Sequence, residues 1–122
     1  MLASLPILFA CSGCSNAGQL ANHVALEMSR WGIAEMSCIA GIGAGKSHFL
    51  KQLARRRVWV IDGCPIHCGL GVLQQAGNEV DAHIRLHEMG VRKDTTMPDT
   101  CEVEKLIDEV LRYIKATEQT PE

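Results

Sequence analysis

Apolar positions along this chain follow two alternating patterns, short continuous runs and longer stretches spaced by three and four residues. The run Leu5–Ala10 predicts a first β-strand. The loop Cys11-Ser-Gly-Cys-Ser-Asn16 follows it. Ala17, Leu20, Ala21, Val24, Ala25 and Met28 then share one helix face, and Gly32 stands where a helix ends. A second strand is predicted over Glu35–Ile39. The glycine-rich loop Ala40–Gly45 and a short helix carrying Phe49, Leu50 and Leu53 come next. Val58–Ile61 is unbroken and apolar, as expected of a strand covered on both faces. It runs into the turn Asp62-Gly-Cys-Pro-Ile-His-Cys68 and a short helix ending at Gly77. Ala82–Leu86 is more polar and predicts an edge strand, and Glu88–Met97 has no period and predicts a loop. After Pro98, Asp99 and Glu102 form a capping-box pattern. Val103, Leu106, Ile107, Val110, Leu111 and Ile114 then draw the clearest helical stripe in the chain.

Alternating strand and helix units imply a parallel sheet with helices on both faces. Right-handed crossovers between four strands favour the order 2-1-3-4. The expected fold is therefore a three-layer α/β domain, Rossmann-like or flavodoxin-like, with a four-stranded parallel sheet. The 122 residues suit one domain, 1–122, with one core. In such a sheet the strand C-termini share one edge, where ligands bind. Five of the six cysteines fall there: Cys11 and Cys14 after strand one, Cys38 at strand two, and Cys64 and Cys68 after strand three. The topological switch point lies between Cys11 and Cys64.

A net charge of -2 with scattered basic residues gives no nucleic-acid footprint. Arg55-Arg-Arg57 is expected to be a solvated helix end near the negative pole of the macrodipole. Leu8-Phe-Ala-Cys11 is similar to a lipoprotein cleavage site. No Lys or Arg precedes it, however, and its apolar run is shorter than the roughly 7–15 residues of a secretory leader. No run reaches the ~20 apolar residues of a membrane span, so no membrane partner is expected. The expected location is cytoplasmic, where thiols stay reduced and clustered cysteines bind metals or react.

Zinc takes four tetrahedral ligands, commonly thiolates at about 2.3 Å. Cys11-x-x-Cys14 and Cys64-x-x-x-Cys68 supply two short pairs, and spacing alone selects Cys14 ahead of Cys38. Cys38, inside a strand, also suits simple packing. Cys68 is expected in the first turn of its helix, where backbone N–H groups favour a thiolate. Asp62 is either a general base or a turn residue bonded to nearby N–H groups. His67 is a candidate ligand, though more simply a residue exposed beside the site. His23, His48, His83 and His87 have no ligand spacing, and His83 and His87 are expected on the surface. Cys101 is expected to be a bystander. Gly45-Lys-Ser47 invites a phosphate-loop reading, but Ala40 stands where that pattern needs glycine. The rival chemistry is thiol–disulfide exchange through Cys11-x-x-Cys14 at a helix start.

Cys11-Ser-Gly13 with Ser15, Gly18-Gln-Leu-Ala21, Met36-Ser-Cys-Ile-Ala-Gly-Ile-Gly43 and Ile61-Asp-Gly-Cys-Pro-Ile-His-Cys68 together resemble the DGC-domain family, for which zinc binding is the expected property. The resemblance spans about residues 5–90, and Asp62-Gly63-Cys64 is the triplet that carries the family's name. It implies a metal set of Cys11, Cys38, Cys64 and Cys68. The position of Cys14 is often a small residue other than cysteine in such sequences, which makes Cys14 a spare or alternative ligand. The resemblance implies no activity. The expectation is a small metal-binding protein with zinc as its cofactor and metal or sulfur handling as its context. An iron–sulfur cluster on the same ligands is the alternative cofactor. An unknown protein partner is compatible with this reading, and whether the chain is an enzyme stays open.

Overall fold

The four predicted strands pair side by side and in parallel. The computed structural model describes residues 5–63, 65–92 and 100–118. Strands β1 (Ile7–Ala10), β2 (Glu35–Met36), β3 (Val58–Asp62) and β4 (Ala82–Arg85) form one sheet in the order β2-β1-β3-β4. Leu8 lies opposite Trp59 and Ala10 opposite Ile61. Asp62 lies opposite Arg85. The helices are α1 (Asn16–Arg30), α2 (Ile39–Gly43), α3 (Ser47–Gln52), α4 (Cys68–Gln75) and α5 (Thr100–Glu118).

Strand side chains alternate between faces, so the sheet feeds two cores. Leu8, Ala10, Trp59, Ile61 and Ile84 pack against the stripes of α1 and α5. Ile7, Phe9, Val58 and Val60 pack against Ile42, Leu53 and Leu73 on the other side. Val58–Ile61 is buried throughout, as its unbroken run predicts, and β3 runs one residue further than expected, to Asp62, which is buried too. The three layers and the strand order are those that the βα alternation implies.

Several local expectations change. The second strand stops at Met36. Cys38 is not inside a strand; it caps α2, and its Sγ accepts the Gly41 N–H at 3.3 Å. The predicted glycine-rich loop is mostly helix, with bonds from Ala44 N to Ala40 O and from Lys46 N to Gly41 O. Those amides are spent on the backbone, which removes the cradle that a phosphate loop needs. The Arg55–Arg57 run is only partly solvated. Arg56 donates to Leu5 O at 2.6 Å and pairs with Glu35 at 2.8 Å, tying the entries of β1 and β2 together. The Arg57 guanidinium lies over the Trp59 ring. The loop expected after Glu88 begins inside a 3₁₀ turn, Leu86–Met89. Residues 93–97 of that loop, with Pro98 and Asp99 of the expected capping box, lie outside the described residues.

The free edge of β2 is blunted locally, because the Met36 N–H donates to Ser29 Oγ at 3.3 Å. Among the described residues no helix is long and apolar enough to cross a membrane.

Phe9→Ala removes a fully buried ring and should lower stability in urea by about 3–5 kcal/mol. Leu26→Ala removes a largely exposed side chain and should shift stability by no more than about 0.5 kcal/mol.

Candidate functional site

β1 and β3 are neighbours, so the loop after one lies against the turn after the other. Cys11 leaves β1 with its backbone still in register, its N–H donating to Ile61 O at 3.0 Å. Its Sγ then accepts the Gly63 N–H at 3.3 Å. This contact ties the first cysteine to the backbone immediately before Cys64, across 52 residues of sequence. A Cβ on Gly63 would be driven into the Ala17 carbonyl, so glycine permits the turn to press against α1. A Cβ on Gly18 would meet the Gly13 backbone, so the loop before α1 also packs closely. Ser15 caps that helix by accepting the Gly18 N–H at 3.1 Å, and Gln19 Nε2 donates to Gly13 O at 2.9 Å.

Cys68 opens α4, whose start is set by Asp62. The Asp62 carboxylate is 1% exposed. Oδ1 accepts from Gly69 N at 2.8 Å and Oδ2 from Leu70 N at 3.1 Å. Of the two roles expected for Asp62, the turn role is the one its contacts describe. Gly69 is required here, because a Cβ would strike Val60 and the carboxylate itself. The preceding His67 adopts a left-handed backbone, φ 58° and ψ 48°. Non-glycine residues there carry strain of roughly 1–3 kcal/mol, held in place by their surroundings.

Cys11 and Cys68 line one half-open pocket of about 190 Å³, together with Ile39, Val72, Gly13 and Asp62. Cys38 does not line it; Cys38 faces a neighbouring groove of about 500 Å³ with Phe49 and Gln52. Cys14, Cys38, Cys68 and Cys101 are exposed free thiols. Cys64 lies outside the described residues. Among the described residues no group of three or more His, Cys, Asp or Glu side chains is arranged to hold a metal ion. The donors themselves fit a soft ion in kind. Cys11 and Cys38 each receive a backbone N–H, the outer contact that orients and tunes sulfur ligands. Cys38 and Cys68 stand at helix starts.

Three histidines expected to be exposed, His67, His83 and His87, are partly buried against one another. His83 is 15% exposed, and its Nε2 lies 2.8 Å from Asp62 Oδ2. A carboxylate only accepts, so His83 carries its proton on Nε2. The His67 ring meets His83 edge-on at 4.7 Å and lies 5.4 Å from His87. His87 is half-buried, and its Nδ1, like Nε2 of His67, is enclosed without a hydrogen-bond partner. The alternating period carried a signal that could have found His83. Val58, Val60 and Asp62 share a face, and His83, out of step with Ala82 and Ile84, belongs to the same one.

The match to known sequences bears on the same segments. The DGC domain model matches residues 7–110, which include every motif above. The chain belongs to the DGC-domain family. It is 47% identical over 91 residues to the Anaerobic and virulence modulator AnvM of Pseudomonas aeruginosa, covering 73% of this chain and 69% of that protein. No solved structure matches the chain.

Burial holds His83 below its ordinary 6.5, against the raising effects of the bond to Asp62 and its charge; His67 and Arg85 lower it further. The folded DGC domain thus takes up this proton less readily than the unfolded chain. Its contribution to stability is complete above about pH 6.5 and is lost as pH falls through the lowered folded value. The urea midpoint should therefore drop between about pH 7.5 and about pH 5.5, and drop less in His83→Gln. Gly63→Ala should destabilise the fold by roughly 1–3 kcal/mol in the same assay, because overpacking there moves backbone.

Proposed function

We propose that this DGC domain binds a soft transition-metal ion, zinc first, through the thiolates of Cys11, Cys38, Cys64 and Cys68. The observation that carries the reading is the bond from Gly63 N to Cys11 Sγ, which draws the backbone one residue before Cys64 in sequence against the first cysteine. The placement of Cys68 on the same pocket supports it. Cys38, one residue before the pocket-lining Ile39, is the ligand with furthest to come. Zinc bound by four thiolates would be a closed structural site, whereas three would leave a position for water or a partner's thiolate.

A binding role in metal or sulfur handling fits better than catalysis. Asp62, the acid nearest the turn, has its oxygens occupied by Gly69 N, Leu70 N and His83. The relative is named a modulator rather than an enzyme, which agrees with a binding role. Thiol–disulfide exchange through Cys11 and Cys14 gains no support from the pocket, which Cys11 lines and Cys14 does not.

The test is metal content after anaerobic purification, with a visible spectrum. The expected result is about one zinc per chain and no colour. Cys11→Ser and Cys68→Ser should each lose most of the metal, and Cys14→Ser should keep it. Iron with sulfide-linked absorption would transfer the same ligands to a cluster. Metal-free protein whose thiol exchange is lost in Cys14→Ser would overturn the proposal.

A further inference from the structure

The turn 62–67 carries Cys64, and one histidine from another strand touches both of its ends. His83, on β4, meets Asp62 through Nε2 at 2.8 Å. It meets His67 through ring contact, with centroids 4.7 Å apart at 90°. Asp62 opens the turn, and His67 closes it directly before Cys68. Both contacts lie on the sheet face that α4 covers, where Asp62 also holds the first amides of that helix.

We infer that His83 is the positioning residue of the thiolate turn, which deepens the metal-binding reading and rests on it. The inference has two supports. The Asp62 oxygens accept three donors, and His83 is the one supplied from outside the turn and its helix. Without it, Oδ2 keeps only the longer bond, to Leu70 N at 3.1 Å. The left-handed backbone of His67 is also unfavourable in isolation and depends on packing. His83 and His87 supply that packing through the ring contacts. Releasing His83 therefore frees the turn at its entry and its exit together. The direction of Cys68 follows from the backbone of His67, so its thiolate loses its fixed placement on the pocket it shares with Cys11. His83 is not among the four proposed ligands and acts through Asp62 and His67.

The variants His83→Gln and His83→Asn separate positioning from bulk. A glutamine amide reaches about as far as Nε2 and can still donate to Asp62; an asparagine amide falls short. Two readouts apply to the full chain. One is zinc affinity by competition with a chromophoric chelator. The other is amide exchange at Gly69 and Leu70 in the metal-free protein, measured beside global stability in urea. His83→Asn should weaken zinc binding about tenfold, the low end of what loss of a direct partner of a ligand costs, because His83 acts one contact further out. It should also speed exchange at Gly69 and Leu70 about tenfold beyond any change in global stability. His83→Gln, which restores the bond to Asp62 but not the ring contact with His67, should recover most of the exchange protection at Gly69 and Leu70 and part of the zinc affinity. A merely structural role would change exchange only as far as global stability changes and leave zinc affinity alone, and that result overturns the inference. So does unchanged zinc affinity in His83→Asn when exchange has risen. If the unaltered protein binds no zinc, the metal-binding proposal fails. The exchange rates then decide the positioning role alone: local acceleration with recovery by glutamine supports it, and its absence overturns it.

Discussion

Withdrawing a carboxylate from water costs several kcal/mol unless hydrogen bonds replace its hydration. Asp62 is withdrawn almost completely, and the surrounding structure is organised to satisfy it. Two donors are the opening amides of α4 after its first residue, which locks the helix to the end of β3. The third comes from His83 on the next strand. Gly69 must be glycine for the helix to come this close, and His67 must turn left-handed to connect the two. One buried acid thus sets where α4 begins and where Cys68 stands.

The second constraint is the neighbour relation of β1 and β3. Parallel pairing puts their ends at one edge, so the Gly63 amide reaches Cys11 Sγ. Gly63 and Gly18 permit this by removing side chains where backbone meets backbone. Chain reversal that would otherwise leave polar groups exposed is absorbed by caps: Ser15 for α1, Cys38 for α2 and Asp62 for α4. Residues from two strand ends and three helix starts are drawn to the same edge of the sheet. Such an edge suits a small ligand better than an extended one, since the pocket holding Cys11 and Cys68 is only about 190 Å³.

Periodic features were legible in the sequence. The apolar runs of β1 and β3 and the stripe of α5 needed no tertiary information, because burial on both faces writes an unbroken apolar run, and burial of one helix face a period of 3.6, directly into residue type. The order 2-1-3-4 followed from handedness. Local chemistry was harder to read. The segment 39–43 has the glycine content of a loop, yet packing of Ile42 into the core and capping by Cys38 make it helical. His83 looked like a surface residue because an edge strand with polar positions predicts solvent on one side. α4 and the Asp62 carboxylate occupy that side instead.

By itself the sequence determined the layers, the strand order and the placement of Cys11 and Cys68 at one edge, since each follows from spacing along the chain and from the geometry of parallel sheets. Tertiary structure alone decided which groups meet. It placed Cys38 beside a separate groove from Cys11 and Cys68, and it joined Asp62 to a histidine 21 residues away. It also decided that His67 turns inward to pack on two other rings. The reason is that contacts between sequence-distant side chains depend on helix placement to within about an ångström. Residue type constrains that placement only through close approaches such as those at Gly63 and Gly69.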